Sequence, residues 1–325
     1  MALLGDMLNP SSGYSAKHLA LIERISKMKL YNLFISMCVL CGLMFGFSFS
    51  AYAEPTSAEY GVILNLSGKQ RMLSQKMSKE VTLIGLSVDA EKNLSNLSAT
   101  SSLFDKTLKG LKEGDASLGL PATESKRIVR QLDKVAGIWA EFYPVIQSII
   151  TSKAVSDEQL AVIASQNLPL LKQMNKAVGL YEKEAKKSGL KAAPGLAATL
   201  NLSGKQRMLT QKMSKEFFLI ALGHDVEQNK LNLLETYSLF DRTLKGLKDG
   251  DEVLGLPGTK AQHIRDQLDV VDGLWVKFKP LVEQGADYKT TAISPAQVDA
   301  VAQSNLPLLK QMNAAVKLYE KEAAK

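Results

Sequence analysis

Much of this 325-residue chain is one segment written twice. LNLSGKQRMLSQKMSKE, starting at Leu64, returns from Leu200 as LNLSGKQRMLTQKMSKE, an offset of 136 residues. LFDKTLKGLKEGD from Leu103 returns from Leu239 as LFDRTLKGLKDGD, and Trp139 has a counterpart in Trp275. NLPLLKQMN from Asn167 returns unchanged from Asn305 at offset 138, which places a two-residue insertion near 287–295. A stacked solenoid needs three or more units, so two copies point to two small domains, residues 54–188 and 196–325, joined by a helix-breaking linker at 189–195.

Within a copy, long runs with few Pro or Gly and no turn-bounded alternation predict helices. In the first copy they fall at about 57–89, 91–112, 124–151 and 156–187. Gly114, Gly119 and Pro121 end the second helix, and Thr123 is expected to cap the third. Pro169 is expected to kink or restart the fourth. Four helices with short connections make an antiparallel four-helix bundle. The expected fold is therefore all-α: two tandem bundles, kept close by the linker and able to pair as a pseudo-dimer through their first helices.

Residues 1–53 read as a targeting segment. Leu30 to Ala53 carries no charge, follows Lys27 and Lys29, and ends in Ala51-Tyr52-Ala53, the pattern of a secretory signal with its cleavage site. Translation from Met28 would give that signal an ordinary length. The alternative is an uncleaved inner-membrane anchor over residues 30–50, since the run is just long enough to span a bilayer. Either way the folded part is expected in the periplasm. Both cysteines, Cys38 and Cys41, lie inside this segment, so the remainder has neither disulfides nor thiolate metal ligands.

Composition narrows the chemistry. The +7 formal charge comes from 40 Lys and Arg against 33 Asp and Glu, spread along the chain with 6% aromatics. Nucleic-acid binders concentrate basic residues among stacking aromatics, so no nucleic-acid partner is expected. Of the three histidines, His224 and His263 have Val88 and Arg127 at the equivalent positions of the first copy, so no duplicated metal or acid–base constellation exists. No cofactor and no enzymatic activity are expected; a hydrolase using carboxylates alone has little support. Lys106, Lys109 and Lys112, like Arg242, Lys245 and Lys248, read as a solvated helix face, and the two tryptophans as core.

The informative segment is the first helix of each copy. At 100° per residue, Leu66, Leu73, Met77 and Ile84 form one stripe, while Leu64, Gly68, Arg71 and Gln75 form another on nearly the opposite side. The 17-residue repeat differs only at Ser74 against Thr210, whereas 10 of the next 22 positions match. Something beyond bundle packing restrains it. A mid-helix glycine costs about 1 kcal/mol relative to alanine, so Gly68 and Gly204 suggest close approach of a backbone or a ligand. One turn on, Arg71 and Arg207 offer planar donor forks suited to a small oxyanion. The other reading is that these arginines bridge to carboxylates across a helix pair. A phosphate-binding loop is excluded, because Gly61 precedes Gly68 by seven residues with hydrophobic helix between.

NLSGKQRMLSQKM resembles the signature of the PilJ-type, NarX-like N-terminal sensor domain, found in type IV pili chemotaxis transducers and nitrate/nitrite sensor kinases. The resemblance runs along each copy and is strongest over Asn65–Met77 and Asn201–Met213. It implies a non-enzymatic protein that binds or senses a small inorganic anion, nitrate or nitrite, where two first helices meet across a two-fold axis. Carried over by residue, the ligand-binding positions are Arg71, Gly68, Arg207 and Gly204. Gln75 and Gln211 are further candidates. So are Lys76 and Lys212, where the family's later basic position keeps its charge without the fork. The family builds its site between two chains; here either a monomer pairs Arg71 with Arg207 internally or a homodimer forms. The sequence ends at Lys325 without the second span and signalling module of the sensors, so signalling is expected to need a separate membrane sensor kinase or chemoreceptor. The alternative is an envelope adaptor that docks its Gly-x-x-Arg face on such receptors without a ligand.

Overall fold

Each helix begins and ends where local chemistry allows it. In the computed structural model, which describes residues 23–28, 54–191 and 194–325, Thr56 caps α1 (Ser57–Gly85) through a reciprocal box with Glu59. The helix ends earlier than its periodicity suggests, because Ser87 and Asp89 take left-handed φ values of 58° and 44° and turn the chain into α2 (Ala90–Glu113). Gly114, at φ +85°, closes α2; a Cβ there would lie 3.0 Å from the Ala122 nitrogen. Thr123 does not cap the next helix. Its hydroxyl donates to the Leu111 carbonyl at 2.6 Å, and Ser125 precedes α3 (Lys126–Ser152). A box of Ser156 and Gln159 starts α4 (Asp157–Lys187).

The second copy repeats the set as α5 (Leu196–Ala221), α6 (Val226–Asp249), α7 (Gln262–Ala286) and α8 (Pro295–Ala323). The extra residues lie in the connection from α7 to α8, which spans 287–294 against 153–156 in the first copy. Pro169 neither ends nor restarts α4, and Pro307 leaves α8 equally continuous. Both prolines face solvent, as do Ser165 and Gln303, whose carbonyls lose their helical donors and can be served by water.

In each copy the four helices form a closed ring, neighbours in sequence packing side by side and the fourth returning to the first. Among the described residues no strand forms, only isolated bridges at Asp115–Leu120 and Asp251–Leu256. The fold is all-α, two antiparallel four-helix bundles. Trp139 and Trp275 are core residues, packed at a tilt on Phe104 and Phe240 at centroid distances of 4.4 and 4.5 Å. Each indole donates to an aspartate, Asp105 or Asp241, at 3.1 or 2.7 Å.

Residues 54–325 make one compact unit in which the bundles are paired through α1 and α5, the most extensive helix contact in the molecule. These helices run parallel: Gly68 meets Gly204 near their middles, and Gly85 meets Leu222 at their ends. α8 also packs on α1, and α4 on α5. The residues before Glu54 are a separate unit, of which 23–28 is helical with Lys27 ion-paired to Glu23 at 2.8 Å. The expected signal, Leu30 to Ala53, lies outside the described residues. No helix among the described residues is long and apolar enough to cross a membrane.

Candidate functional site

α1 has two faces in sequence but none in solvent for most of its length. Its own bundle covers one side, while α5 and α8 cover the other, so both stripes are enclosed. This is why Ser67, Gln70, Arg71, Ser74, Gln75, Ser78, Lys79 and Glu80 are all buried. Burying so many polar groups requires partners for each of them.

At the centre of the pair, Gly68 and Gly204 let the two backbones approach until a Cβ on Gly68 would stand 3.8 Å from the Gly204 Cα. Arg71, 2% exposed, crosses to the other copy, its Nη2 donating to the Asn201 carbonyl at 2.9 Å. Its Nη1 donates to Asn175 Oδ1 of α4 at 3.1 Å. Arg207 does the same in reverse, donating to the Asn65 carbonyl and to Asn313 Oδ1 of α8, both at 2.9 Å. Both Nη2 atoms lie within 3.6 Å of the point where a Gly68 Cβ would stand, hence no more than twice that distance apart. The structure therefore brings Arg71, Arg207, Gly68 and Gly204 together.

No carboxylate neutralises this pair. Among the described residues neither arginine forms an ion pair, and the Nε of each is buried without a partner. This leaves the carboxylate-bridge reading without a partner group. Glu182 and Glu320 sit one step away, accepting from the side-chain amides of Asn201 and Asn65. They draw the arginine pKa values up, against burial, the larger effect, which pushes both down; Arg207 lowers Arg71 further. Arginine keeps its proton at neutral pH under such shifts. Charges about 7 Å apart, the upper bound on the Nη2 separation, repel by roughly 2 kcal/mol at an effective dielectric of 20.

The remaining candidates divide. Gln75 and Gln211 are buried one turn beyond the arginines; Gln75 donates to Ser74 Oγ at 3.3 Å and Gln211 to Asn305 Oδ1 at 2.9 Å, and each amide oxygen is free. Lys76 and Lys212 turn away, each to an in-helix partner, Glu80 or Glu216, and to Thr100 or Thr236 of the next helix.

Three pairs escaped the sequence reading. Asn175 and Asn313 hold the arginines. Asn167 and Asn305 anchor α4 and α8 to the Ser74 and Thr210 carbonyls at 3.1 and 2.9 Å. They also accept across the copies, Asn305 from Lys79 at 2.9 Å and Asn167 from Lys215 at 3.1 Å. Burial drives both lysines down to about 8. The signal for the asparagines was present, since the unchanged repeat NLPLLKQMN begins at Asn167 or Asn305 and ends at Asn175 or Asn313. What the structure presents is a pair of buried cations, each with an unpartnered Nε, beside the backbone at two glycines.

The sequence comparisons agree with this architecture. The family model for the N-terminal region of type IV pili methyl-accepting chemotaxis transducers, PilJ, matches residues 57–168 and again 190–304. A relative in Pseudomonas aeruginosa PAO1, the methyl-accepting chemotaxis protein McpN, is 28% identical over 122 residues. That match covers 38% of this chain and 22% of the relative, so about a fifth of that chemotaxis protein's length is represented.

Proposed function

Since the chain belongs to the PilJ family of chemotaxis-transducer N-terminal domains, in two tandem copies, we propose that it binds one small inorganic oxyanion, nitrate or nitrite, between Arg71 and Arg207. One observation carries the reading: two buried guanidinium groups converge on two glycines with no carboxylate in contact. An anion about 4 Å from each charge gains roughly 4 kcal/mol per contact before desolvation, more than the repulsion it relieves. Occupancy then favours the arrangement with α1 and α5 close together, the differential contact that a sensor requires. The protein works in the periplasm, either scavenging the anion or presenting it to a membrane chemoreceptor or sensor kinase.

Titration calorimetry of the full chain with nitrate and with nitrite tests this directly. A single site per chain is expected, with affinity reduced at least about tenfold, or 1.4 kcal/mol, in Arg71→Ala and Arg207→Ala. Equal heats from all three proteins would sink the proposal. The ligand-free adaptor reading has less support, because the Gly-x-x-Arg face it would present is covered by the other copy.

A further inference from the structure

The two copies differ most tellingly on the outside, between the third and fourth helices. In the first copy the groove between α3 and α4 is lined by Arg127, Arg130 and Lys134 on one wall and Lys176 and Lys183 on the other. All five side chains are exposed, and among the described residues none is in an ion pair. No carboxylate lines the groove. In the second copy the five equivalent positions are His263, Asp266, Val270, Ala314 and Lys321, so of these cations only the last is retained, while Lys317 stands where Gly179 lines the first groove. The fold therefore does not require the charge, and like charges set side by side repel unless something neutralises them.

We propose that this groove is a docking site for an extended acidic peptide segment of a partner protein. The cations follow each wall over seven residues, about 10 Å of helix at 1.5 Å per residue. An extended chain rising about 3.3 Å per residue sets its carboxylates at a matching spacing between the walls. Nucleic acid would want aromatic platforms, and the groove has none. A membrane-inserting face would want a broad apolar stripe, whereas only Leu180 is apolar here.

The second copy supplies its own controls. Fluorescence anisotropy of a fluorescein-labelled hexaglutamate peptide against the full chain is expected to saturate at low salt and weaken as salt rises. The triple variant Arg130→Asp, Lys134→Val, Lys176→Ala carries residues that the same fold already accommodates in the other copy. It is expected to bind at least about tenfold more weakly with unchanged circular dichroism. The reciprocal variant His263→Arg, Asp266→Arg, Val270→Lys, Ala314→Lys is expected to gain a second peptide site, which tests the idea even if the first variant folds poorly. Wild-type peptide affinity in the triple variant, or no second site in a folded reciprocal variant, overturns the proposal. So does binding of anionic vesicles or single-stranded DNA through these cations when the peptide does not bind.

Discussion

Gly68 is where helix propensity and chemistry disagree. A Cβ there would meet Arg71 Nη2 at 3.4 Å, Arg207 Nη2 at 3.6 Å and the Gly204 Cα at 3.8 Å, all ordinary contact distances. Gly68→Ala should therefore fold, and should gain up to about 1 kcal/mol from helix propensity. Its methyl would fill the space between the guanidinium groups. The expected outcome is an equal or higher melting temperature together with at least a tenfold loss of nitrate affinity, about 1.4 kcal/mol, by calorimetry. Undiminished affinity would mean that no anion sits at this level. Gly285 is a different case: a Cβ there would stand 2.4 Å from Phe217, so its role is to make room for a ring. The first copy has Val81 and Ile149 at those two positions, a smaller residue with a larger one. Packing permits such exchanges between copies, whereas the Gly-x-x-Arg segment shows none.

At the scale of helices, the site consists of α1 and α5 braced by α4 and α8. The first pair was legible in sequence because a mid-helix glycine and an arginine repeated within an almost unchanged segment call for an explanation. The second pair was marked only by the unchanged repeat NLPLLKQMN, which carries no charge pattern or glycine to say what it does. Asparagine is uncharged and common in helices, so nothing in the sequence marks the hydrogen bonds that Asn167 and Asn175 make to α1. Lys79 and Lys215 were hidden for a similar reason, since a lysine in a lysine-rich helix reads as solvated and only the neighbouring copy buries it. Pro169 misled because a proline on the solvent side of a long helix frees a carbonyl that water can reach. The bracing role of α4 can be tested at Asn175, whose Oδ1 accepts from Arg71 at 3.1 Å. Asn175→Asp would place a permanent counter-ion there, roughly doubling the strength of that hydrogen bond. Thermal stability is then expected to rise while nitrate affinity falls at least about tenfold, or 1.4 kcal/mol, because the internal carboxylate competes for the same charge. Unchanged affinity would show that arginine charge is not what holds the anion.

For the whole molecule, the pairing of copies sets a pH dependence that neither bundle would have alone. Lys79 and Lys215 titrate near 8 because burial penalises their charge; Glu80 and Glu216 partly restore it, while Lys76 and Lys212 oppose it. Unfolded lysine titrates near 10.4. Below about pH 8 both states are protonated, and the folded state bears the full cost of two buried ammonium groups. Between about 8 and 10.4 the unfolded chain holds protons that the folded one has released, so stability rises with pH. Tyr60, Tyr181 and Tyr319 act oppositely at the upper edge: burial raises their pKa values, so the unfolded chain loses those protons first near pH 10 and the gain stops there. The melting temperature followed by circular dichroism should thus climb from pH 8 to about pH 9.5. The double variant Lys79→Met, Lys215→Met should flatten that slope, because methionine fills a similar volume without a proton to release, and leave the smaller part owed to Lys69 and Lys205, which burial also lowers. A flat or falling profile in the wild type would mean that these ammonium groups are solvated, and hence that the bundles are not paired as α1 and α5 place them.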